Sequence, residues 1–150
     1  MQRRKFLSLG ALAAAAAVVP ASLSAEDFRK SKPAVWTAKT VDDAIAKMYG
    51  KTATSSDAIT LTAPEVASNG GQIPVGFKTD IPAKTVAVFQ DANPESAVVA
   101  YTVYPESVID YSIKMKMKAS GTITVVVEGQ DGKLYSASKK ISVALGGCEG

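Results

Sequence analysis

Residues 122–145 read "TITVVVEGQDGKLYSASKKISVAL". This stretch carries the strongest fold signal in the chain. Its first seven residues are β-branched or apolar at almost every position. "GQDG" at Gly129 to Gly132 then supplies turn formers, and a second run in "KLYSASKKISV" alternates apolar with polar residues. Two β-rich runs separated by a glycine-bounded turn predict a hairpin. Outward from this hairpin, the same grammar repeats from Asp57 onward in "AITLTAP", "QIPVGFKTD", "KTVAVFQDANP", "AVVAYTVYPES" and "VIDYSIKMKMKAS". Ile73, Val75 and Phe77 share one strand face by alternation, and so do Ile113, Met115 and Met117. Pro64, Asn69-Gly70-Gly71, Asn93-Pro94 and Pro105 separate the runs. Roughly seven short strands in about 95 residues predict a mainly β fold, an immunoglobulin-like antiparallel β-sandwich, over residues 57–145.

Upstream, "TVDDAIAKMYGK" predicts a short helix. Thr40 caps it, Asp42 and Asp43 suit its positive end, and Gly50 suits its exit. Val41, Ile45, Met48 and Tyr49 fall on one face, which reads as a contact with the core or a partner and not as a cofactor box. The preceding "EDFRKSKPAVW" is polar with a break at Pro33, and is expected to run as an extended arm until Trp36 docks. Arm and helix together occupy residues 26–56.

Residues 1–25, "MQRRKFLSLGALAAAAAVVPASLSA", have the layout of an export signal: a basic Arg3-Arg4-Lys5, an apolar run from Phe6 to Val19, and a cleavage-like Leu23-Ser24-Ala25. The apolar run is short for a membrane span, so no membrane insertion of the mature chain is expected. The paired arginines before Phe6-Leu7 resemble a twin-arginine signal, with an ordinary secretory signal as the alternative. Both routes lead out of the cytoplasm. Arg3, Arg4 and Lys5 account for three of the 17 basic residues, leaving 14 against the 14 acidic ones. The formal charge of +3 therefore belongs to the signal and gives no support for nucleic-acid binding.

The chain contains no histidine and one cysteine. The usual general base, the usual triad and the commonest zinc ligand are thereby missing, and one thiol forms neither an internal disulfide nor a multi-thiolate metal site. These absences point away from an enzyme acting alone and away from a resident metal or cofactor. The one thiol, Cys148, stands in "GGCEG". Gly146 and Gly147 leave the backbone before it slim, and three extended residues carry it roughly 10 Å past the last strand. A frayed terminus would explain the glycines, but an exposed thiol in an exported protein is open to oxidation and unwanted coupling. The arrangement suits an arm that enters a narrow channel in another protein. A free thiol titrates near about 8.5 and is activated by nearby cations, whereas Glu149 is an anionic neighbour that disfavours the thiolate. Activation is therefore expected from partners.

Lys114, Lys116 and Lys118 alternate with Met115 and Met117 in "SIKMKMKAS". The row reads as a solvated face over buried methionines, with an anion-attracting or partner-docking strip as the other reading.

These residues together resemble the SoxY family of sulfur carriers of the periplasmic thiosulfate-oxidising Sox system. The resemblance lies in the twin-arginine-like signal, "ITLTAPEVASNGGQIPVGF", "YSIKMKMKASGTITVVV", "DGKLYSASKKISVALGG" and the terminal cysteine. It implies a heterodimer with a second small β-protein, SoxZ. It also implies a cytochrome complex that conjugates thiosulfate to Cys148, a hydrolase that releases sulfate, and a sulfane dehydrogenase as a further partner. On that reading Cys148 is the covalent attachment point, and Gly146, Gly147, Glu149 and Gly150 form the flexible carrier arm at 146–150. Partners supply haem, metal and acid-base groups, and "APEVASNGG" is structural or faces SoxZ. Glu149 departs from the family's glycine, which leaves the accepting partner open. The competing reading is a periplasmic immunoglobulin-like interaction module whose Cys148 forms an intermolecular disulfide.

Overall fold

The computed structural model describes residues 25–144. Nine strands follow two helices and a 3₁₀ turn: α1 (Phe28–Ser31), the 3₁₀ turn (Pro33–Thr37), α2 (Val41–Tyr49), β1 (Thr54–Ser55), β2 (Ile59–Thr62), β3 (Val66–Ala67), β4 (Ile73–Thr79), β5 (Ala83–Gln90), β6 (Ala97–Thr102), β7 (Ile109–Met115), β8 (Gly121–Gly129) and β9 (Leu134–Val143). The seven longer strands coincide with the seven runs expected from the pattern.

They form two facing sheets of an immunoglobulin-like sandwich. The smaller has the order β2-β4-β7, and the larger has β1-β9-β8-β5-β6, with β3 also pairing β9. The hairpin that opened the reading is present, with Glu128 opposite Leu134 and Gly121 opposite Ile141. Its turn closes through Gly132 N–H to the Gly129 carbonyl at 3.0 Å. Gly132 has φ +82°, a region that an L side chain rarely enters.

Alternation accounts for the smaller sheet. Ile73, Val75, Phe77 and Thr79 of β4 point inward, while Pro74 and Lys78 are exposed. On and just beyond β7, Met115 and Met117 are buried beneath the exposed Lys114, Lys116 and Lys118. These side chains meet Val86, Val88, Ile123, Val125, Val127 and Ile141 of the larger sheet in the main core.

Strands β5 and β8 break the alternation because both their faces are covered. Val86 and Val88 look toward the smaller sheet, whereas Ala87, Phe89 and Val126 join a second core with Phe28, Val35, Ala44, Ile45 and Met48 from the N-terminal helices. Continuous apolar runs are what central strands buried on both sides require. The helix α2 follows its expected chemistry: the Thr40 hydroxyl accepts from Asp43 N–H at 3.2 Å, and Gly50 ends the helix at φ +69°. Its stripe of Ile45 and Met48 contacts the core.

The expected extended arm is not what forms between residues 26 and 37. Asp27 caps α1 by accepting from Arg29 and Lys30 N–H, and Pro33 sits in the first turn of the 3₁₀ segment. Proline there lacks only a donor that has no partner in a helix start. Burial of Phe28 and Val35 against the sheet outweighs the polar composition on which the extended expectation rested. Trp36 does dock, through Nε1–H to the Phe28 carbonyl at 3.1 Å.

A second difference concerns β9. The longer strands pair antiparallel, but β1 and β3 pair with β9 in parallel, at Thr54 to Tyr135 and Ser55 to Ser136, and at Val66 to Ser142 and Ala67 to Val143. Both are two-residue contacts, too short to carry the alternating pattern by which a strand is recognised.

Candidate functional site

Cys148, Gly146, Gly147, Glu149 and Gly150, the residues singled out for chemistry, lie outside the described residues, as does 1–24 of the export-like segment. What the fold positions is the end of β9 that leads to residues 146–150, and each backbone donor from Ser142 to Ala144 is held. Ser142 N–H donates to the Glu65 carbonyl at 2.9 Å, and Ala144 N–H donates to the Ala67 carbonyl at 2.9 Å. The intervening Val143 N–H turns the other way and donates to the Ser120 hydroxyl at 2.8 Å. Alternation of donors along a strand thus ties one side of this strand end to the 65–67 segment and the other to the residue preceding β8.

"APEVASNGG" therefore has a structural role. Val66 and Ala67 form β3, the Asn69 side chain accepts from Gly71 N–H at 2.8 Å, and the Gly70 carbonyl accepts from Met117 N–H at 2.9 Å. The same short segment clamps the end of β9 and the continuation of β7. Ala63 adds its carbonyl, which accepts from Lys139 Nζ at 2.6 Å. Val66 itself remains 66% exposed beside the end of β9.

A second support comes from the β5–β6 loop. Gln90 is fully buried at the end of an apolar strand. Its Oε1 accepts from Ala92 and Asn93 N–H at 2.7 Å each, and its Nε2 donates to the Glu95 carbonyl at 2.7 Å. A buried amide is stable only with such partners. The loop so shaped presents Asn93, whose Nδ2 donates to the Lys116 carbonyl at 2.7 Å and whose Oδ1 accepts from Lys118 N–H at 2.9 Å. Asp91 Oδ1 accepts from Thr122 N–H at 2.6 Å. Gln90, Asp91 and Ser120 carry no mark of this role in the sequence, and Asn93 is marked there only as a turn residue in Asn93-Pro94. The one signal available was an amide closing an otherwise apolar strand.

The perturbed ionisable groups stand elsewhere. Burial pushes the Tyr49 phenol well above its ordinary value, against the opposing effect of its 3.0 Å hydrogen bond with the Thr85 hydroxyl. Tyr101 is raised by burial and then by Tyr111, whose ring lies 5.3 Å away, centroid to centroid. At the far hairpin, the Tyr135 hydroxyl donates to Asp131 at 2.5 Å and holds that carboxyl low. None of these groups hydrogen-bonds to residues 142–144. Among the described residues there is no group of three or more metal-ligating side chains, and no helix is long and apolar enough to cross a membrane.

Comparison with known proteins identifies a family and a shared fold. A family model described as sulfur oxidation protein SoxY matches residues 45–148, a span that runs from the middle of α2 through the cysteine. Among solved structures, the sulfur carrier protein SoxY from Chlorobium limicola f thiosulfatophilum is similar at 36% identity, covering 70% of this chain and 96% of that one, with a TM-score of 0.64. Superoxide reductase (Neelaredoxin) from Ignicoccus hospitalis is similar in fold alone, at 18% identity, 58% of this chain, 80% of that one and a TM-score of 0.52. A search of curated protein sequences finds no match.

Proposed function

The chain belongs to the SoxY family of sulfur oxidation proteins, and on that premise we propose that it carries sulfur intermediates of thiosulfate oxidation covalently on Cys148. A sulfur carrier's task is to present a substrate to other proteins, and it needs no catalytic group of its own. The observation that carries the reading is the family match extending to Cys148, four residues beyond Ala144, the last of three residues from Ser142 whose backbone donors are all held at the end of β9. Four residues span at most about 14 Å. A firm base with a short glycine-containing arm lets a partner's channel receive the thiol while the sandwich stays outside.

In this reading the chain acts in the periplasm after twin-arginine export and pairs with a SoxZ-like subunit. A cytochrome complex loads thiosulfate, a hydrolase releases sulfate, and a sulfane dehydrogenase acts on what remains. Cofactors reside in those partners. Glu149 beside the thiol selects among them by charge and size.

The test is intact-protein mass spectrometry on protein purified without reductant from cells grown with and without thiosulfate. Reductant-reversible sulfur or thiosulfonate increments on the Cys148 peptide, dependent on thiosulfate, are the expected result. Cys148→Ser should abolish them and leave the unfolding midpoint unchanged. A disulfide to another polypeptide under both conditions, without such increments, would replace the carrier by an interaction module.

A further inference from the structure

Lys114, Lys116 and Lys118 stand exposed on one side of β7 and its continuation, with Met115 and Met117 buried between them. Lys114 lies in β7, and Lys116 and Lys118 follow its end at Met115, so that the four-residue stretch spans at most about 14 Å. None of the three forms an ion pair among the described residues; the pair on this sheet, Lys78 with Asp110 at 4.0 Å, lies toward the start of β7. Across from Lys114 is Pro74, not a carboxylate. The exposed face beside the row carries short side chains, including Thr62, Pro74 and Ser112. Three like charges held in line by buried neighbours gain nothing from one another.

Their place in the fold gives the row a direction. It ends where the arm begins: Asn93 fixes the backbone of Lys116 and Lys118, and the segment from Glu65 to Gly70 bonds both Met117 and the last residues of β9. Ser120, two residues past Lys118, holds Val143. The cationic row and the departure point of Cys148 are thus parts of one braced end of the sandwich.

We propose that Lys114, Lys116 and Lys118 form a docking strip for an acidic protein surface flanking the channel into which the arm inserts. The inference rests on the carrier reading. The complementary charge belongs to a protein and not to the carried anion, because three exposed ammonium groups in succession beside the short side chains of Thr62, Pro74 and Ser112 match an extended surface. A single sulfonate would meet one or two ammonium groups. Opposite charge around the entrance would speed encounter and orient the arm before the thiol reacts.

The experiment measures the rate at which the thiosulfate-loading cytochrome complex conjugates Cys148, across a range of sodium chloride concentrations. It compares wild type with a Lys114→Glu, Lys116→Glu, Lys118→Glu triple variant and a charge-matched control, Lys30→Glu, Lys84→Glu, Lys133→Glu. All six lysines are exposed, so each variant should fold, as circular dichroism and the unfolding midpoint would verify. The strip variant should lose about tenfold or more in kcat/KM at low salt and converge on wild type at high salt. The control should lose little. Equal rates for strip variant and wild type would overturn the proposal, as would an equal loss in the control. A second measurement uses the anionic disulfide 5,5′-dithiobis(2-nitrobenzoate) on the same thiol: a matching loss there would assign the lysines to the small anion and overturn protein docking. Failure of wild type itself to be conjugated would count against the carrier reading, a result distinct from wild type and strip variant reacting alike.

Discussion

Replacing Gln90 by Leu tests whether one buried amide organises the end of the sandwich at which β9 finishes. The side chain is fully buried and makes three hydrogen bonds of 2.7 Å, two as acceptor from Ala92 and Asn93 N–H and one as donor to the Glu95 carbonyl. Each such bond contributes about 1 kcal/mol net, so their loss should cost about 3 kcal/mol. Leucine is close to glutamine in volume, and no cavity need be added to that figure. Against a domain stability of about 5–15 kcal/mol this is a large fraction, and at about 4 °C per kcal/mol the unfolding midpoint should fall by about 12 °C. Urea unfolding followed by Trp36 fluorescence would measure the change. Native-state amide exchange would show where it acts, with Lys118 and Thr122 losing protection because Asn93 and Asp91 hold their N–H groups. A change under about 0.5 kcal/mol, the range of an ordinary surface substitution, would refute Gln90 as the loop's anchor. So would destabilisation that leaves exchange at Lys118 and Thr122 no faster than in the remainder of the sheet.

Gly121→Ala should destabilise by about 1–3 kcal/mol in thermal unfolding, because a Cβ there would run into Asp91 Oδ1 and press on Ala92 and Met117; an unchanged midpoint would show that the loop gives way freely. The neutral Tyr49 phenol is favoured in the folded state, so its contribution holds below the ordinary value of 10.0 and is lost as pH rises through and beyond it, where the unfolded chain ionises first. Tyr49→Phe should accordingly flatten the decline of stability between about pH 9.5 and 11.5, and an identical slope for both proteins in urea titrations would remove Tyr49 from the account.

The sequence is most informative where structure depends on near neighbours. Thr40 and Gly50 mark the ends of α2 because capping acts within a few residues. The glycine-bounded turn at 129–132 marks the hairpin for the same reason. Period-two patterns in β4 and β7 identify strands buried on one face, and the placement of Met115 and Met117 beneath three exposed lysines follows directly. The unbroken apolar runs of β5 and β8 locate strands but leave open what covers their second face. The answer lies in Phe28 and Val35, within a segment whose polar composition suggested an extended arm.

Of the proposed site, composition alone offers the candidate: one cysteine, no histidine, and glycines around the thiol. The sequence also carried the family resemblance, through segments spread along the chain. The bonds that brace the end of β9 appear only in the fold. Ala67 and Ala144 are remote along the chain yet share a hydrogen bond, and Asn93 reaches Lys116 and Lys118 across the gap between the sheets. Each of these bonds joins a backbone group to a distant residue whose type gives no sign of its partner. Sequence pattern records how a segment partitions between water and core, while the pairing of backbone donors with distant acceptors is fixed only when the sheets close on one another.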